Sequence, residues 1–271
     1  MIFRNSGLFK SMKKCLISLV IVGLLLCWVA NLFASDSQEV RILADDDYPP
    51  YSYVENGVLK GIYIDYLKKL SHHLQEKYTI SIMPVPWKRA LKLIESGEEF
   101  ALIPPYIHFQ SRPFIVQYSS PIGFEKVVVY CHNDVPLEQV FIQGPSSRPA
   151  LRLGINSGYL LLNEKYKSAI TKRRIILASN KSTVNNVEKL IKRRIDCYIN
   201  DETSTLVTLN EVFGHYQTEF KRDFVVKEVI SSQSAHIGYA RDFQKQGFSN
   251  QAFIDAMNDT ISTITPNGIN F

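Results

Sequence analysis

Cysteine is scarce in this chain, charge of one sign is almost balanced, and the spacings that hold metals or phosphates are missing. Of 271 residues four are cysteine, at positions 15, 27, 131 and 197. Cys15 and Cys27 fall in an N-terminal apolar run, which leaves Cys131 and Cys197 for the folded part, and two cysteines make no zinc site. Both sit in apolar, strand-like contexts, VVVYC and DCYIN, so free buried thiols are expected, although a disulfide is open to a pair in an exported protein. Glycine is not organised for phosphate: GINSG, residues 154–158, is too short for a phosphate loop. The pair His72-His73 reads as a solvated helix face, no Ser-His-Asp arrangement is evident, and no cofactor is expected.

The formal charge of +5 is misleading. Four of the 31 Lys and Arg side chains lie in residues 1–35, which hold no acid, so the remainder carries 27 bases against 26 acids. A nucleic-acid partner needs a basic excess, and none remains. With 45% hydrophobic and 21% charged residues the chain has the composition of a globular protein, not of a disordered one.

One long apolar run is present and no second. Lys13 and Lys14 precede CLISLVIVGLLLCWVA, residues 15–30, and NLFAS follows with Leu32 and Ala34 placed before a cleavage point. This order reads as a signal peptide over residues 1–35, with Met12 as an alternative start, and places the mature protein in the periplasm. An uncleaved anchor is the other reading; the run of 16 residues is short against the roughly 20 a span needs.

Past residue 38 strands and helices alternate. Val40–Ala44, Thr79–Val85 and Phe100–Ile103 read as strands, and IDYLKKLSHHLQEKY and Trp87–Glu95 as helices, with DDDYPPYSYVENGVLKG as a loop. After VVVYCHND and a Pro- and Ser-containing loop the alternation restarts: LRLGI, a helix from Gly158 to about Thr171, RIILA, a helix over STVNNVEKLIKRR, CYIN, and a helix capped by Asp201. AHIGYA gives one more strand and NQAFIDAMNDTISTI a final helix. Two α/β units joined by extended strands imply a cleft at the carboxyl ends of the strands, where helix N-termini converge.

These segments resemble the extracellular solute-binding proteins, family 3, which serve ABC importers of polar amino acids. The resemblance rests on DDDYPPYSYVENGVLKGIYIDYL, VPWKRALKLIESGEEFALI, SRPFIVQYSSPI, LRLGINSGY and KLIKRRIDCYINDET, in that order, and spans residues 38–271. It implies an α/β fold with the two-lobed architecture of type II periplasmic binding proteins and a ligand cleft between the lobes. Lobe 1 is then residues 36–126 and 234–271, and lobe 2 is residues 127–233. A small amino-acid-like ligand, an ABC permease partner and a monomer are also implied. Arg112 is expected to clamp a ligand carboxylate and Asp201 an ammonium, with Trp87 as an aromatic wall. Tyr48 or Tyr51 is expected as the opposite wall, and Asp45 as a second acid. In the phrase KLIKRRIDCYINDET Arg193 replaces the family's glycine, and the chain departs further at Pro104-Pro105-Tyr106-Ile107, where small hydroxyl residues are usual, and at Gly158-Tyr159-Leu160; it is the last two that bear on the ligand. These departures favour an aromatic or amphipathic solute and bring Tyr106, His108 and Tyr159 into the candidate lining. An enzyme resembling cyclohexadienyl dehydratases is the main rival, with His108, Glu202 or Lys88 as general acid. A sensory domain is the second, and a lytic transglycosylase fused to a similar module the least supported.

Overall fold

The computed structural model describes residues 37–142, 149–214, 223–245 and 247–265; the expected signal peptide lies outside them. Among the described residues no helix is long and apolar enough to cross a membrane.

Two five-stranded sheets form the framework. The first is ordered β5 (Tyr78–Val85), β1 (Gln38–Asp45), β6 (Ala101–Ile103), β13 (Gly238–Ala240), β7 (Ile115–Tyr118). The second is ordered β10 (Ile175–Asn180), β9 (Leu151–Asn156), β11 (Cys197–Asp201), β8 (Gly123–His132), β12 (Phe224–Ala235). Both are mixed: β1 pairs parallel with β5 and β6, and β9 with β10 and β11, whereas β13, β8 and β12 run antiparallel to their neighbours. The interior strand β1 carries the continuous apolar run Ile42-Leu43-Ala44, as a strand covered on both faces requires.

Helices cover the sheets. In α1 (Ile62–Leu74) Leu67, Leu70 and Leu74 are buried at helical spacing, and in α2 (Trp87–Glu95) so are Trp87, Ala90 and Ile94. The second sheet is covered by α3 (Glu164–Thr171), α4 (Thr183–Ile191) and α5 (Glu202–Phe213), and α6 (Asn250–Ile264) packs on α1. Side-chain caps set the helix starts: Ser182 accepts from the Asn185 amide at 3.0 Å and Ser249 from that of Ala252 at 3.3 Å.

The chain passes between the sheets twice. β8 and β12 are paired from Phe224 opposite His132 to Ala235 opposite Gly123, and their far ends lead directly into β7 and β13 of the first sheet. This double crossing is the hinge of a two-lobed periplasmic-binding-protein architecture.

Several local expectations need correction. Residues 45–61 are not a loop: β2 (Asp47–Tyr48), β3 (Ser52–Glu55) and β4 (Val58–Lys60) form a small antiparallel sheet. Its turn is Asn56-Gly57, both at positive φ, the backbone a two-residue hairpin demands. The helix expected from Gly158 begins only at Glu164, where Asn163 caps it. On α4 it is Val187 and Leu190 that are buried, while Val184 is exposed. AHIGYA is the seam between two strands, and most of β12 was not expected. Cys131 and Cys197 are not free thiols: they lie opposite one another on β8 and β11, both fully buried, and form a disulfide. The apolar context that indicated burial was right, but register, invisible in sequence, brings their Cα atoms to 4.0 Å.

Candidate functional site

Between the two sheets lies a cavity of about 30 Å³. Its lobe 1 wall comes from the end of β1, from β2, from the start of α2 and from the segment between β6 and β7: Asp45, Tyr48, Trp87, Pro104, Tyr106, His108 and Arg112. The turn after β9 supplies the rest through Tyr159, Leu160 and Leu161. This volume has room for one or two waters.

The closing turn is built around Gly158. Its φ is +86°, and a Cβ there would stand 3.3 Å from Trp87 Cδ1, so both backbone and space favour glycine. The turn springs from Asn156, held in a buried network in which Asn156 Oδ1 accepts from Asn186 Nδ2 at 2.7 Å and from Tyr198 Oη at 2.8 Å. Tyr159 then reaches across the cleft. Its hydroxyl donates to Asp45 Oδ2 at 2.8 Å, and its ring meets Tyr48 and Trp87 edge-on at 5.7 and 6.2 Å.

Arg112 is 4% exposed. Nη2 donates to the Gly158 carbonyl at 2.8 Å, and the guanidinium lies 5.3 Å from the Trp87 ring centre. Among the described residues no carboxylate lies within ion-pair distance of it. Burial lowers its pKa to about 10, so it stays charged at neutral pH. The Trp87 Nε1–H, also buried, has no hydrogen-bond partner among the described residues. His108 is pulled down to about 4 by burial and then by the Arg112 charge, so its imidazole is neutral.

The acids are arranged differently. Among the described residues Asp45 is the one carboxylate on the cavity wall; Oδ1 accepts from the Asp47 amide at 3.1 Å, and burial raises its pKa to about 7. Asp201, 1% exposed, does not line the cavity. Its Oδ1 accepts from the Ser204 amide at 2.7 Å, capping α5, and from Tyr51 Oη at 3.0 Å, while Oδ2 accepts from the Lys126 amide at 3.2 Å. Tyr51 is likewise off the wall, stacked on Tyr63 with ring centres 5.0 Å apart. Of the two loop tyrosines it is Tyr48 that forms wall.

Glu125 is a buried acid beyond those expected from the sequence. This β8 residue, 4% exposed, lies beside the hinge and accepts hydrogen bonds from the hydroxyls of Tyr48, Tyr106 and Tyr63, the last at 2.6 Å. Burial, then the Asp201 charge, raise its pKa to about 7. An acid in the apolar strand phrase GFEKVVVY was the available signal. Of the other acid–base candidates, Lys88 is exposed and Glu202 pairs with Lys126; neither lines the cavity. His72 and His73 are exposed on α1.

Solved structures share this fold. A histidine kinase sensor domain similar to periplasmic binding proteins superposes with a TM-score of 0.66 at 12% identity, covering 85% of this chain and 91% of that one. A mutant of ArgBP from T. maritima gives 0.63 at 14% identity, covering 84% and 90%. The substrate binding protein of an amino acid ABC transporter gives 0.61 at 17% identity, covering 84% and 93%. No curated protein matches the sequence. The profile of the bacterial extracellular solute-binding proteins, family 3, matches residues 40–269, and the chain belongs to that family.

Proposed function

We propose that the protein captures a small carboxylate-bearing solute in the periplasm and delivers it to an ABC permease. The observation that carries this reading is Arg112: a charged guanidinium, 4% exposed, on the cavity wall and without a carboxylate partner among the described residues. A buried cation is costly unless an anion joins it, and the planar fork of Arg fits a carboxylate through two parallel bonds. The aromatic walls suit an amino acid or acid with an apolar side chain.

Capture proceeds by closure. Opening at the β8/β12 crossing separates Tyr159 from Asp45 and Gly158 from Arg112, which exposes the guanidinium. The solute docks its carboxylate there, and the turn at 156–161 returns over it. Expulsion of water on closing strengthens the ionic contact. Binding rather than catalysis is favoured because two of the three general-acid candidates, Lys88 and Glu202, stand away from the cavity.

Titration calorimetry of the purified protein against amino acids and apolar carboxylic acids tests the reading. A bound carboxylate whose affinity depends on Arg112 is the expected result. Consumption of prephenate or arogenate by the same preparation would favour the dehydratase instead.

A further inference from the structure

We propose that the site reads a carboxylate and does not read an α-ammonium, so that its solute is an aromatic or branched aliphatic carboxylic acid in which an amine is dispensable. The inference rests on Arg112 being the carboxylate clamp.

The hydrogen-bonding capacity left over at the cavity lies on the donor side. Arg112 carries five N–H donors and makes one hydrogen bond among the described residues, to the Gly158 carbonyl. The Trp87 Nε1–H on the same wall is buried and makes none. Neutral His108, at the same end, brings one ring N–H donor and one acceptor nitrogen. A carboxylate brings two oxygens with about four acceptor sites, the complement such a wall lacks.

The acids offer no matching demand for a cation. Asp201, the position the family resemblance assigns to the ammonium, is off the wall, and both its oxygens are taken by Ser204, Tyr51 and Lys126. Glu125 is also off the wall and is covered by three phenols. Asp45 remains, with one oxygen on the Asp47 amide and the other under the Tyr159 hydroxyl. An ammonium there must displace the phenol, and burial already favours the neutral form of this carboxyl. Leaving a donor unmet costs more than the bond itself returns, so a site settles on the ligand that fills its orphan groups. Here those groups call for an anion.

Matched ligands decide the matter on the unmodified full-length protein. Calorimetry is run with 3-phenylpropanoate, L-phenylalanine and phenethylamine, and with 4-methylpentanoate, L-leucine and 3-methylbutylamine. At least one acid is expected to bind as tightly as its amino acid, or within about tenfold of it, and neither amine to bind. If amino acids bind and both acids are weaker by more than about tenfold, the inference fails while the carboxylate-capture reading stands. If the amines bind as well as the acids, or none of the six binds, that underlying reading fails too.

Discussion

On the hinge side of the cleft, Glu125 and Asp201 are buried acids whose oxygens are covered by phenols and amides of this chain. Across the cavity Arg112 is as deeply buried, yet one backbone carbonyl is its whole hydrogen-bond complement among the described residues. The contrast separates two uses of a buried charge. A charge whose partners are all internal holds the molecule together, and its removal leaves orphans. A charge left short of partners weakens the empty-handed protein and gains its partner from outside. Stability and affinity should therefore respond oppositely at the two ends.

The sharpest break is Arg112→Ala. Truncating one side of a buried charge pair costs about 2–5 kcal/mol, so affinity for the carboxylate should fall by more than tenfold in calorimetry. Stability without ligand should change by less than about 1 kcal/mol, because no internal ion pair is broken. A variant that loses most of its stability would show that Arg112 belongs with the structural charges.

Glu125→Ala should do the reverse. Three buried phenols lose their acceptor, and an orphaned donor costs about 1–3 kcal/mol. Tyr48 and Tyr106, whose oxygens are 3.3 Å apart, recover part of this by bonding to each other, so about 3 kcal/mol is expected in a urea melt. The acid also leaves a pH signature. Its carboxyl titrates from about 7 when folded against 4.5 when free, so between these values the native state holds a proton that the unfolded chain has released. The associated stability is full below the lower value and is lost as pH rises through the upper one. His108, His132 and His236 are all lowered by burial and work against this slope on the acid side. Comparing the protein with Glu125→Gln removes that common background: the melting temperature should fall less steeply between pH 5 and pH 8 in the variant.

Asp201→Ala is the intermediate case. It removes the α5 cap, worth about 1 kcal/mol, and one hydrogen bond of the Tyr51 hydroxyl, worth about as much, for a total near 2 kcal/mol by chemical denaturation. Affinity should move by less than about threefold, since Asp201 is not on the cavity wall. A loss near that of Arg112→Ala would return Asp201 to the ligand site and erase the contrast.

How much of this could be read beforehand follows from what local sequence encodes. The β/α alternation was evident because each element carries its own periodicity, and α2 and α6 run over the very residues expected, Trp87–Glu95 and Asn250–Ile264. Arg112, Trp87, Asp45, Tyr48, Tyr106 and Tyr159 were named in advance, and the structure sets all six on one cavity. What escaped depends on pairing between distant segments. The disulfide needs the β8–β11 register, and the role of Glu125 needs three tyrosines separated from it by 19 to 77 residues. Asp201 shows the limit from the other side: its capping role was local and readable, while the cleft-facing role required knowing what else would reach its oxygens. The hairpin at 52–60 is a different case, since Asn56-Gly57 between strand-like residues announces a two-residue turn, a local signal that an assignment of the whole stretch to loop passes over.

The finest test of the contrast lies in Tyr159, whose hydroxyl gives Asp45 the cover that Glu125 and Asp201 already have. Tyr159→Phe keeps the edge-on ring contacts with Tyr48 and Trp87 and removes one hydrogen bond, about 1 kcal/mol of stability. It also leaves Asp45 Oδ2 as an acceptor in want of a donor, which is the condition the Arg112 end meets with the signs exchanged. An α-ammonium can then fill it. The ratio of L-phenylalanine to 3-phenylpropanoate affinity should therefore rise by about fivefold in the variant, the equivalent of that one bond. Cover by a single phenol would then be what turns a zwitterion site into an acid site. An unaltered ratio would mean that something other than Tyr159 keeps cations from Asp45.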